Sequence, residues 1–165
     1  MKLITFFFSV LFTILVVSCN KNSDDSNNFY DLNDFLKYDY NPESDVLITL
    51  DMITSFNSDT KEINIDGMLG RYIKSEGNVA FIYKNKVLFY LPVFSPTFNR
   101  VRNDYVVFIN DSKFFLYDAY PEIYEEWPDY IKASLLKERD ENAKKQKKNW
   151  DFFIKYLSEN GKYKK

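Results

Sequence analysis

The chain holds one cysteine, Cys19, and no histidine in 165 residues. It can form no disulfide within itself and no cysteine–histidine metal site, so its fold must rest on an apolar core alone. The same two facts remove Ser-His-Asp and Cys-His catalysis, both of which need an imidazole. Carboxylate chemistry remains.

Cys19 is also placed in a telling way. From Met1 to Ser18 the sequence passes from one cation, Lys2, into the run Leu3 to Val17, interrupted only by Thr5, Ser9 and Thr13. This charged-then-apolar profile predicts a secretory signal peptide over residues 1–18. Its apolar length falls short of the ~20 residues that span a bilayer core. The segment Leu15-Val16-Val17-Ser18-Cys19 resembles the lipobox of bacterial lipoproteins, although Val16 stands where leucine is usual and Val17 where a small residue is usual. The resemblance implies cleavage after Ser18, a diacylglyceryl group on the Cys19 sulfur, and the membrane as a partner through that lipid. A single acyl chain holds a protein only marginally, whereas two or three hold it firmly.

Residues 19–28 then read as the lipidated cysteine and a disordered tether, because Asn20 to Asn28 contains no apolar side chain. Within it, Ser23-Asp24-Asp25 resembles the acidic export signal of Bacteroidota surface lipoproteins, which implies the outer face of the outer membrane. A plain solvating linker of a periplasm-facing lipoprotein has the same composition. Asn20 follows the cysteine, so an aspartate-type inner-membrane retention signal is absent.

Residues 29–165 are long enough for one α+β domain that buries its own core. Phe29 to Tyr40 has apolar residues near helical spacing and is stopped by Asn41-Pro42. Val46 to Leu50 suits a buried strand, and Glu62 to Asp66 alternates as a half-exposed one. Val79–Tyr83 and Val87–Leu91 flank Lys84-Asn85-Lys86 and predict a hairpin with Asn85 at positive φ. Tyr105–Ile109 and Phe114–Tyr117 predict a second, with Pro92 and Pro96 ending the pairing of the first. A further strand at Met68 to Lys74 completes an expected antiparallel meander of five or six strands. Pro121 and Pro128 each suit the first turn of a helix. From Pro128 the spacing of Ile131, Leu135, Ala143, Trp150, Phe153 and Leu157 predicts a long C-terminal helix that stops before Gly161. Its middle, Lys137 to Asn149, carries only Ala143 as an apolar member and is expected to project into solvent or bend.

Charge is divided along the chain. Residues 137–165 hold ten basic and five acidic groups, and residues 19–136 hold eleven and nineteen. With a formal net charge of −2 overall, nucleic acid is not an expected partner.

The 16 Phe, 13 Tyr and 2 Trp point mainly to strand faces and core. One cluster suits a ligand site: Tyr120, Glu122, Tyr124, Glu125, Glu126, Trp127 and Tyr130. On a helix, Glu122 would share a face with Glu125 or Glu126, and paired carboxylates beside rings suit calcium or glycosidase chemistry. Acidic residues at helix N-termini explain the same pattern without a ligand. No cofactor is expected. The functional expectation is a non-enzymatic, membrane-anchored accessory or interaction lipoprotein, with a surface glycan binder or an envelope immunity lipoprotein that blocks a toxin as alternatives.

Overall fold

The computed structural model describes residues 29–67, 71–97 and 101–165. The signal peptide, Cys19 and the tether lie outside the described residues. No described helix is long and apolar enough to cross a membrane.

The chain enters as a two-residue strand β1 (Tyr30–Asp31) and a short helix α1 (Leu32–Tyr38). Asp31 caps that helix, its carboxylate accepting from the Asn33 amide at 2.8 Å. Strands β2 (Asp45–Thr49), β3 (Ile53–Asn57) and β4 (Glu62–Ile65) follow, with one 3-10 turn, Leu50–Met52, between the first two. Next come β5 (Asn78–Tyr83), β6 (Lys86–Phe94), β7 (Val106–Asn110), β8 (Lys113–Tyr117), the helix α2 (Asp129–Glu159) and β9 (Tyr163–Lys164).

Among the described residues these strands form one nine-stranded sheet in the order β2-β5-β6-β7-β8-β4-β3-β9, with β1 lying on β6. The fold is mixed α/β, which corrects the expected antiparallel meander of five or six strands. Pairs β2·β5, β6·β7 and β3·β9 are parallel. Parallel neighbours join across long connections, and no local pattern announces them. Both expected hairpins are present. In the first, the positive φ falls on Lys84 (54°) instead of Asn85, and in the second Asp111 (47°) and Ser112 (64°) form the two-residue turn.

Pro92 does not end the first hairpin. Strand β6 pairs with β5 as far as Pro92, with Val93 N–H still donating to the Gly77 carbonyl beyond it, and gains β7 on its opposite edge at Val93 and Phe94. Proline has no N–H to give to a ladder, and with Val93 N–H turned toward Gly77 the Pro92 nitrogen faces the opposite edge, where β7 pairs only from Val93 onward. Of the expected strand at 68–74, residues 68–70 lie outside the described residues and residues 71–74 form no strand.

Helix α2 packs against one face of the sheet through Phe153 and Leu157, both fully buried, with Trp150 and Ile154 beside them. Phe153 meets Phe56, Phe81 and Phe89 at ring separations of 5.9, 6.0 and 5.8 Å. The helix ends in a Schellman motif: Lys162 N–H donates to the Leu157 carbonyl, Gly161 N–H to Ser158, and Gly161 takes φ 68°. That reversal sends the chain back as β9 alongside β3.

The middle of α2 neither projects freely nor uses Ala143, which is exposed. Arg139, Asn142, Gln146 and Asn149 form its inward stripe, three of them bonded to the body of the protein. Arg139 donates to the Pro121 carbonyl (2.7 Å) and to Asn103 Oδ1 (3.1 Å), and Asn142 to the Asn103 carbonyl (2.8 Å). Asn149 donates to the Leu88 carbonyl (2.7 Å). A helix with polar residues at these positions can lie on a protein only where open backbone carbonyls meet it.

Candidate functional site

The Leu88 carbonyl is open because the sheet has a gap. β1 pairs with Lys86 and Val87 on one edge of β6, and β7 pairs on that edge at Val93 and Phe94. Between them, no described strand pairs with this edge of β6, the one away from β5, over Leu88 to Pro92, a stretch of about 13 Å at ~3.3 Å per residue. Here lies a cavity of about 530 Å³, a slot with the strand edge at its back.

The two layers of the fold supply its walls. On the α1 side stand Tyr30, Phe35, Asp39 and Tyr90, with Phe35 edge-on to Tyr90 at 5.0 Å and to Tyr30 at 6.3 Å. On the α2 side stand Lys145, Gln146 and Asn149. A hydrogen bond from Tyr30 to the Asp39 carboxylate pushes the Tyr30 phenol up from its ordinary value.

Asn149 is 4% exposed, and its Oδ1 is buried without a hydrogen-bond partner. The Leu88 carbonyl can only accept, so it fixes the amide with nitrogen toward the strand and oxygen away from it. A buried acceptor left in this way costs about 1–3 kcal/mol, and most such groups in folded proteins find a donor. The Asn149 amide thus donates to β6 as a neighbouring strand's peptide group would, and retains an acceptor.

Tyr90 is held in the opposite wall by Asp45. The Asp45 carboxylate, 6% exposed, accepts from Tyr90 Oη (2.7 Å), Asn41 N–H (2.8 Å), Ser44 Oγ (2.9 Å) and Asn78 Nδ2 (3.0 Å). Burial alone would push this carboxyl up, but the four donors outweigh it and leave it below the usual aspartate range. Burial and the same carboxylate push the Tyr90 phenol up. The wall carries a buried carboxylate behind the Tyr90 ring.

The aromatic and acidic cluster singled out in the sequence is divided by the fold. Residues 121–128 are irregular chain instead of a helix, so Glu122, Glu125 and Glu126 share no helical face, and all three are exposed. Tyr120 stacks on Phe108 at 4.8 Å and belongs to a separate apolar cluster with Phe94 and Val106. Tyr124 is 52% exposed and meets Trp127 edge-on at 5.5 Å, while Tyr130, 75% exposed, stands on the first turn of α2. A small hollow of about 180 Å³ lies between Tyr117, Tyr120, Glu122 and Tyr124.

Sequence reasoning reaches Asp39, flanked by Tyr38 and Tyr40, only as a weaker carboxylate candidate and does not bring it together with Tyr90, Lys145 and Asn149. One signal was available: a polar stripe at helical spacing inside an otherwise amphipathic helix marks a face that meets something other than core. The chain matches no protein-family model, no curated protein and no solved structure.

Proposed function

We propose that the protein is a non-enzymatic interaction lipoprotein, held by lipid on Cys19 at the outer membrane, which binds a partner by taking an extended polypeptide segment into the slot beside β6. Strand addition gives affinity through main-chain bonds, and an open edge flanked by side-chain walls is what it requires. The observation that carries the reading is Asn149, whose amide already stands in for a neighbouring strand at Leu88 and holds an unpartnered acceptor. The missing imidazole and the lipobox support the non-enzymatic and anchored parts.

An immunity role is a form of the same reading in which the added segment belongs to a toxin. A glycan-binding role draws instead on the exposed Tyr124 and its neighbour Trp127.

The test uses the full lipidated chain in detergent and a panel of short labelled peptides of extended propensity, with binding read by fluorescence anisotropy. Gln146→Trp, which fills the slot and leaves the Leu88 bond intact, should abolish binding, while Tyr124→Ala should not change it. Binding that survives Gln146→Trp and is lost with Tyr124→Ala contradicts the proposal. For the anchor, Cys19→Ala should move the protein from the membrane fraction to the soluble fraction.

A further inference from the structure

The walls of the slot differ in chemistry, and an extended segment sends alternate side chains to opposite sides. Resting on the reading of the slot as a strand-accepting site, we propose that it selects a segment whose side chains alternate in charge, basic toward α1 and acidic toward α2.

The α1 wall offers three rings and a carboxylate. Tyr30, Phe35 and Tyr90 line this wall together with Asp39, and an ammonium or guanidinium group entering there meets rings and a counter-charge together. The buried Asp45 behind Tyr90 adds a second negative charge at short range. An acidic side chain on this wall would face both carboxylates.

The α2 wall offers a cation. Neighbouring lysines of this helix are paired, Lys144 with Asp140, Lys147 with Asp151 and Lys155 with Glu159. Lys145 meets only the Asn142 amide oxygen, at 3.4 Å, and makes no ion pair among the described residues. Beside it stand Gln146 and Asn149, the latter offering its Oδ1 to a main-chain N–H. Repulsion by the wrong charge on either wall supplies as much discrimination as attraction of the right one.

The experiment compares labelled peptides in which lysine and glutamate alternate, peptides in which they stand in blocks, and all-lysine and all-glutamate peptides, each against the full lipidated chain in detergent. The alternating peptide should bind about fivefold to tenfold tighter than the others at low salt. Asp39→Lys makes both walls basic and should transfer the preference to the all-glutamate peptide. Adding Lys145→Glu to it exchanges the walls and should restore the preference for alternation, which a merely unfolded variant could not do.

Equal binding of all four peptides, blocked by Gln146→Trp, overturns charge selection and leaves the slot itself standing. Preference for alternation that survives Gln146→Trp places the recognition elsewhere and overturns both. The absence of binding by any peptide overturns the strand-accepting site and the selection with it.

Discussion

The Tyr90 hydroxyl donates to Asp45 Oδ2 at 2.7 Å, joining the exposed rim of the slot to a buried carboxylate at the start of β2. The bond ties β6 to the chain that follows α1, and it positions one wall ring. Tyr90→Phe removes one of four donors and should lower stability by about 1.5 kcal/mol, measured as a shift in urea midpoint.

Acid should weaken the protein through the same carboxylate. The Asp45 carboxyl titrates lower in the folded protein than in the unfolded chain, where the ordinary value is ~3.9. Its contribution is therefore complete above that value and is lost as pH falls through the lower folded one. The stability difference between wild type and Asp45→Asn should be constant near neutrality and shrink below about pH 4. A difference that grows on acidification would contradict the assignment.

Phe153 occupies the centre of the aromatic core between α2 and the sheet, fully buried and in contact with three other phenylalanine rings. Phe153→Ala should cost about 3–5 kcal/mol in denaturant unfolding. An effect under 1 kcal/mol would mean that α2 is not docked there.

Gly77 has no room for a side chain: a Cβ would lie 2.1 Å from the Ser44 carbonyl oxygen. Its own carbonyl accepts from Val93 N–H at 2.9 Å, close to the point where β7 joins the opposite edge of β6. Gly77→Ala should destabilise by about 2–3 kcal/mol, because backbone must move to admit the methyl group.

The elements were legible where short-range pattern determines them. Both hairpins, α1 and the long α2 with its stop before Gly161 follow from periodicity and turn residues. The parallel pairs were not legible, since the pairing of Asp45 with Asn78 or Phe56 with Tyr163 joins segments with no shared local signal. The slot was hidden for a related reason. Asp39, Tyr90 and Asn149 are distant in sequence; Asp39 reads only as a weak carboxylate candidate between two tyrosines and the other two as surface or core, whereas the Tyr120 to Tyr130 cluster is conspicuous because it is contiguous. Its rings are divided between an apolar patch, an irregular loop and the first turn of α2 once Pro121 fails to start a helix.

The central claim is that β6 accepts a strand between Leu88 and Pro92. The most direct test is backbone amide exchange and chemical shift at Leu88, Phe89, Tyr90 and Leu91, followed by NMR as the alternating lysine–glutamate peptide is added. Strand addition predicts new protection at Tyr90 and shifts at the Asn149 side-chain amide, with Tyr124 and Trp127 unmoved. A peptide that binds while those edge amides keep their exchange rates, or that shifts Tyr124 and Trp127 instead, would contradict it.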